Sequence, residues 1–224
     1  VDDLTNGDWS NLGDAAGNVA QVTASVLDEA AIAEAMAGAR HVFHEAALGS
    51  VPASVERPAD YHRVNVMGTV AVLEAARAAG VERVVYAGSS SAYGDPPDEG
   101  AAKVETMPPD PLSPYAAAKL DGEHAMRAWA KCYDLDTATL RYFNIFGPRQ
   151  DPNSPYAAVI AAFAKGLCGG AVTIFGDGEQ SRDFTFVDNV VHANLLAARC
   201  GERLAGRMFN VACGQRVSVN ELYA

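Results

Sequence analysis

Tyr115 and Lys119 stand four apart in Ser113-Pro114-Tyr115-Ala116-Ala117-Ala118-Lys119, so on a helix they project from one face. An ammonium beside a phenol favours the phenolate and lowers the tyrosine pKa from about 10. The tyrosine then becomes a usable base near neutral pH. The spacing alone fits many solvated helix faces, and what precedes it adds weight. The apolar run Arg83-Val84-Val85-Tyr86-Ala87 leads into Ser89-Ser90-Ser91. Three serines in isolation read as a polar turn, but hydroxyls at the carboxyl end of a parallel strand sit where open α/β sheets bind their ligands. Asp2, at the end of what would be a second strand, suits the diol of an adenosine ribose. The glycine-rich fingerprint that should precede such an acid by about 20 residues lies outside this chain. The chain opens at Val1 without Met and is expected to be part of a longer protein whose first β-α unit is absent here.

These residues need a scaffold, and short apolar strands alternate with alanine-rich helices as in a parallel α/β sheet. A helix is expected over 28–39 with Asp28 as N-cap, and a strand over 41–43 that leads to His44-Glu45-Ala46-Ala47. A long helix follows over 58–79, with Val66, Val70 and Leu73 on its apolar face, Met67 beside them and Gly80 as its C′ residue. After the strand 83–87 and a Gly/Pro-rich loop over 88–111, Ser113 caps the helix that carries Tyr115. Strands are expected at 137–141 and 208–211. Beyond Asn144 the glycines and prolines of 147–178 read as a smaller lobe, and 184–200 as a return to the main domain. Ser218 and Glu221 have capping-box spacing. The fold class is therefore a Rossmann-type doubly wound parallel sheet with a small, incomplete C-terminal lobe. The main domain is expected over 1–145 and 184–213, and the lobe over 146–183 and 214–224.

Composition narrows the function. A net charge of −11 argues against a nucleic-acid or anionic-membrane surface, while a few local arginines can still hold a diphosphate. No apolar run approaches the roughly 20 residues of a membrane span. Cys132, Cys168, Cys200 and Cys213 are scattered and read as buried free thiols in a reducing cytosol. The five histidines have no metal-ligand spacing. His44 is expected to line a cofactor cleft, and His41, His62, His124 and His192 to be surface or core residues. Met36, Met67 and Met126 fall at expected helix-core positions.

With these motifs in order, the sequence resembles the extended short-chain dehydrogenases/reductases that epimerise or dehydrate nucleotide sugars. The resemblance runs nearly the full length. Besides the serine and Tyr-x-x-x-Lys motifs it includes Asp2-Asp3-Leu4, His44-Glu45-Ala46-Ala47, Asn65, 140–144, Phe146-Gly147-Pro148-Arg149-Gln150 and 176–184. Within the family it looks most like the UDP-glucose and UDP-N-acetylglucosamine 4-epimerases, and Gln150 to Ile160 resembles the branch that accepts N-acetylated sugars. The dehydratases carry an Asp-Glu pair where this chain has Ser90-Ser91.

The resemblance implies an NAD-dependent 4-epimerisation of a UDP-sugar through a transient 4-keto intermediate, with no metal. Tyr115 would be the base, Lys119 its activator and ribose ligand, and Ser89 the hydroxyl on the sugar O4, with Ser90 and Ser91 as alternatives. Asp2, His44, Ala46, Ala47, Asn65 and Tyr142 would serve the cofactor. Asn144, Arg182 and, more weakly, Arg149 would grip the diphosphate. Three departures stand out: Ser25 where an acid usually touches adenine, Glu45 where an apolar residue is common, and Ala161 where a proline is usual. A cytoplasmic homodimer built through helices 58–79 and 113–133 is implied. The alternatives are another nucleotide-sugar enzyme (a 4,6-dehydratase or reductase) or a nucleotide-binding relative without turnover.

Overall fold

Near-continuous burial along the two central strands, over 83–88 and 137–141, covers both faces of one sheet. The computed structural model describes residues 1–95, 101–151, 159–169, 171–174 and 176–224. Its strands are β1 (His41–His44), β2 (Arg83–Ser89), β3 (Asp136–Tyr142), β4 (Ile145–Phe146), β5 (Ser181–Arg182), β6 (Thr185–Phe186), β7 (Arg207–Val211) and β8 (Val217–Ser218). Its α-helices are α1 (Glu29–Ala35), α2 (Val51–Glu56), α3 (Pro58–Tyr61), α4 (Gly68–Ala79), α5 (Pro114–Cys132), α6 (Val159–Leu167), α7 (Val187–Arg199) and α8 (Val219–Tyr223). The main sheet has the order β1-β2-β3-β7 and is parallel throughout. Asp2 adds an isolated parallel bridge to Thr23.

On one face, Val84 and Tyr86 pack with Ile32, Leu73 and Met126 from α1, α4 and α5. On the other, Val85 packs with Val190, Ala197 and Ala198 of α7. That two-faced burial is the doubly wound arrangement expected above. Arg83 fastens the sheet at the end remote from the serines. Its guanidinium pairs with Asp136 at 2.6 Å and donates to the carbonyls of Ala197, Cys200 and Glu202 at the C-terminus of α7. Positive charge and donors are what an exposed helix C-terminus lacks.

The helix over 58–79 forms, but its middle turn, His62–Met67, is a wider π-helical one. Three polar side chains four residues apart project from it like rungs. Thr69 meets His44, Asn65 brackets both backbone groups of Leu48, and the Tyr61 hydroxyl accepts from Ser50 N. In a regular α-helix each step of four would drift by about 40° around the axis. The wider turn slows that rotation and lines the three up against the loop after β1.

The same turn corrects the apolar face expected from helical spacing. Tyr61, Asn65, Gly68, Thr69, Val72, Leu73 and Ala76 are the buried residues, Val66 and Val70 are half-buried, and Met67 is 56% exposed. Met36 and Met126 are in the core as expected. Two further differences concern helix ends. The first helix stops at Ala35, before the left-handed Gly38, and α2, capped by Ser50, precedes the long helix. Gly80 closes α4 at φ 69°, and Ser218 and Glu221 form the capping box.

The cysteines also depart from expectation. Cys132, Cys168 and Cys213 are exposed and Cys200 is half-buried, because all four lie at or just beyond the ends of secondary-structure elements. All four thiols are free. The 146–183 region contributes β4, α6 and β5, with β4 paired to β6 and β5 to β8. Residues 152–158 of the stretch resembling the N-acetyl-sugar branch lie outside the described residues, as does Gly170.

Candidate active site

Two cavities meet at the carboxyl end of the main sheet. One, of about 530 Å³, is lined by Asp2, His44, Ala46 and Ala47. The other, of about 1080 Å³, is lined by Ser89, Ser90, Ser91, Tyr115, Lys119 and Tyr142, and farther along by Asn144 and Arg182. Glu45 and Ala47 belong to both walls, so the two form one continuous cleft.

The chemistry-bearing corner is built by two caps. Ser113 accepts from Ala116 N and starts α5, which puts Tyr115 in its first turn and Lys119 one turn deeper. Ser89 ends β2 and caps a short 3-10 turn, Ser90–Tyr93, with its hydroxyl 2.7 Å from that of Ser91. Lys119 is 4% exposed, donates to the Ala87 carbonyl at 2.9 Å and lies over the Tyr86 ring. Burial pulls its ammonium down to about 8, against the Glu45 carboxylate, which favours the charge. It is therefore mainly protonated at neutral pH.

Tyr115 departs from the expected direction. Desolvation holds its phenol above the usual tyrosine range, and the Ser89 hydroxyl works the other way. In this structure the lysine is engaged with the backbone of β2, and the group that favours the phenolate is the serine. The Tyr61 ring meets Tyr115 edge-on at 6.4 Å.

On the other wall, Asp2 accepts from Leu4 N at 2.7 Å, and Gly7 is pressed so close that a Cβ there would lie 2.7 Å from the carboxylate. Small side chains at Ala46 and Ala47 leave the floor of the cleft open. A carboxylate, small residues and a lysine in one run suit the ribose, backbone and second ribose of a dinucleotide. The residues present fit NAD.

Asn65 is placed behind this wall: both ends of its amide are spent on Leu48, so it supports the loop. Ser25 is spent on Leu27 N. Glu45, noted above only as a departure, accepts from the Tyr142 hydroxyl at 2.8 Å, and Asn194 donates to that hydroxyl from α7.

His44 is buried with Nε2 2.9 Å from Thr69 Oγ1. The Thr69 hydroxyl proton goes to Asn65 O, so the imidazole must donate and its proton sits on Nε2. Burial and the Lys119 cation depress its pKa from 6.5 to about 3. The folded state thus binds fewer protons than the unfolded chain between those values, and stability falls as pH drops from 6.5 toward 3. Urea midpoints measured at pH 7 and pH 5 should fall farther for the wild type than for His44→Gln. Equal losses would remove His44 from the acid response.

At the far end, Asn144 has left-handed backbone (φ 34°) and donates to Asp183 O, which turns the chain out of β3 into β4. Arg182 is exposed on the cleft wall. Arg149 is not brought there. Its guanidinium bonds the Asn11 carbonyl, because a left-handed φ of 70° directs this residue toward the 3-10 segment Trp9–Asn18. Arg216, which the sequence did not single out, lines the cleft instead, with Nε 2.9 Å from Ser181 Oγ. Only the β5–β8 pairing brings it there, so no local motif could have flagged it.

Residues 1–212 match the NAD dependent epimerase/dehydratase family. A UDP-glucose 4-epimerase of Mycolicibacterium smegmatis is 45% identical over 184 residues, covering 81% of this chain and 57% of that protein. The chain therefore spans little more than half the length of this relative. The solved UDP-N-acetylglucosamine 4-epimerase of Methanobrevibacter ruminantium superposes with a TM-score of 0.91 at 37% identity, covering 99% of this chain and 70% of that one. The UDP-glucose 4-epimerase of Thermotoga maritima gives 0.89 at 37% identity, with 99% and 71% covered.

Proposed function

We propose that this chain, which belongs to the NAD-dependent epimerase/dehydratase family, carries most of the active site of a UDP-sugar 4-epimerase. The observation that carries this reading is one cleft lined by Tyr115, Lys119 and Ser89 together with Asn144 and the exposed Arg182. Hydroxyls stand at Ser90 and Ser91, where elimination chemistry would need acids.

NAD, held by Asp2, Ala46, Ala47, Tyr142 and Lys119, would supply the redox chemistry by taking up and returning a hydride. The chain's own residues do the rest. Ser89 bonds the sugar O4 and holds it beside Tyr115, whose phenolate removes the hydroxyl proton. Ser89 stabilises that phenolate, and the buried Lys119 keeps a positive charge nearby. Asn144 and Arg182 anchor the diphosphate, so the 4-keto sugar can turn without leaving. Reprotonation from Tyr115 completes the cycle. Asp2, His44, Ala46, Ala47, Tyr142 and Lys119 form the NAD side, with Asn65 supporting it. In this reading residues 1–145 and 184–213 hold the cofactor, while 146–183 and 214–224 hold the nucleotide sugar. A cytoplasmic homodimer packing through helices 58–79 and 113–133 belongs to the same reading.

The test is to incubate the full-length protein with UDP-glucose, UDP-N-acetylglucosamine and UDP-glucuronate. Interconversion of at least one with its 4-epimer, without net reduction of NAD, is expected. A 4-keto-6-deoxy product would replace this reading with dehydration.

A further inference from the structure

The two halves of the candidate site arrive on different elements. Tyr115 and Lys119 come from α5, and Ser89 from the end of β2, where it caps the next turn. One buried side chain touches both assemblies. Arg141, on β3, is 2% exposed, and its Nε and Nη2 donate to the two carboxylate oxygens of Glu123 at 2.9 and 2.8 Å. Glu123 is the next step of four after Tyr115 and Lys119 on α5, so it continues the same stripe. The other side of the guanidinium lies over Tyr93, 4.3 Å from the ring centroid. Tyr93 ends the 3-10 turn that Ser89 caps, and its hydroxyl donates to Asn210 Oδ1 at 2.7 Å. Gly88, paired with Arg141 across the strands, is packed against β3 itself: a Cβ there would lie 2.7 Å from Thr139 Cγ2.

We propose that Arg141 is a positioning residue for the epimerase reaction, a buried strut that clamps the serine turn to the base-bearing helix through Tyr93 and Glu123. The inference rests on the functional reading above. A buried ion pair gives little net stability over a well-packed apolar replacement, so stability alone is a poor account of it. What it supplies is a fixed distance. Nη1 has no hydrogen-bond partner among the described residues, and the Tyr93 side chain is the contact that meets this side of the fork.

The consequence is chemical. Ser89 is the group that pulls the Tyr115 phenol down against burial, so a turn that slides loses that pull and leaves Tyr115 harder to ionise. The titratable groups that face Tyr115 are Tyr61 of α3, Tyr86 of β2 and Lys119 of α5. Glu45, Asp95, Lys103, Asp183, Arg182 and Arg216 stand on the cleft wall. A substitution at Tyr93 changes none of these charges.

The experiment compares Tyr93→Leu with Tyr93→Phe in the full-length enzyme. Two quantities are read: kcat and KM for the UDP-sugar, and the ionisation of Tyr115, taken as the ultraviolet difference from each protein's Tyr115→Phe counterpart. Tyr93→Leu should lower kcat by about tenfold or more, the scale of a displaced catalytic group. KM should hold within about twofold, and the Tyr115 titration should move to higher pH. Tyr93→Phe keeps the ring and should stay near wild type in both. Wild-type turnover with an unmoved titration in Tyr93→Leu overturns the proposal. So does an equal loss in Tyr93→Phe, since the bond to Asn210 would then be what holds the turn. If Tyr93→Leu does not fold, Tyr93→Met, which keeps more of the volume without the ring and changes no charge, replaces it, with an upward titration expected and an unchanged one overturning the strut. A wild type without interconversion overturns the functional reading, while the Tyr115 titration still decides this one.

Discussion

Tyr115→Phe in the full-length enzyme is expected to reduce turnover by about 10²–10⁴-fold, the effect of losing an acid–base group. The variant removes one oxygen from a half-buried ring that packs edge-on to Tyr61, so the cleft keeps its shape. UDP-sugar affinity, measured by calorimetry, should change little, because Asn144 and Arg182 lie at the other end of the cleft. Turnover near wild type would show that another group takes the proton. Ser89, which faces the phenol, would then be the next residue to test.

Arg182→Ala should weaken UDP-sugar binding by about 1.5–3 kcal/mol, the range for hydrogen bonds to charged groups. The side chain is exposed on the cleft wall, and no ion pair involves it among the described residues. A protein of net charge −11 must gather positive charge locally to hold a diphosphate, and a planar guanidinium matches phosphate oxygens two at a time. Arg182→Lys should recover part of the loss, since it keeps the charge without the fork. NAD content should be unaffected, because the Asp2–Ala47 cavity does not include this residue. Unchanged affinity in the alanine variant would transfer the role to Arg216, which shares the wall. Arg149 is committed to the Asn11 carbonyl.

What the sequence made legible was whatever depends on neighbours along the chain. The caps at Asp28, Ser113 and Ser218, the glycine end at Gly80, and the strands around Val84, Ala138 and Phe209 all follow from local chemistry and period. The Tyr115–Lys119 pairing is of the same kind. The illegible part depends on residues that meet across the fold. Arg216 reaches the cleft through strand pairing, Glu45 acquires a partner through Tyr142, and Arg141 is fixed by a helix and a turn distant in sequence. The bond that Lys119 makes in this structure was illegible for the same reason. Helical spacing gives the shared face, but not the Ala87 carbonyl that engages the ammonium. Met67 was misassigned because a 3.6-residue period was carried through a turn that does not obey it.

That wider turn sets a rule about chain length. Insertions and deletions in a surface loop cost little, since loop-closure entropy grows only slowly with length. Removing one residue from His62–Met67 is tolerated for a different reason, because a regular helix can close over the gap. Over the eight steps from Tyr61 to Thr69 a regular helix ends about 80° out of line, whereas over seven it ends only about 20° out. Thr69 and Tyr61 would then still both face the loop after β1, while tightening the turn without losing a residue would swing them apart. An alignment that opens a one-residue gap here therefore describes the same wall carried on a regular helix.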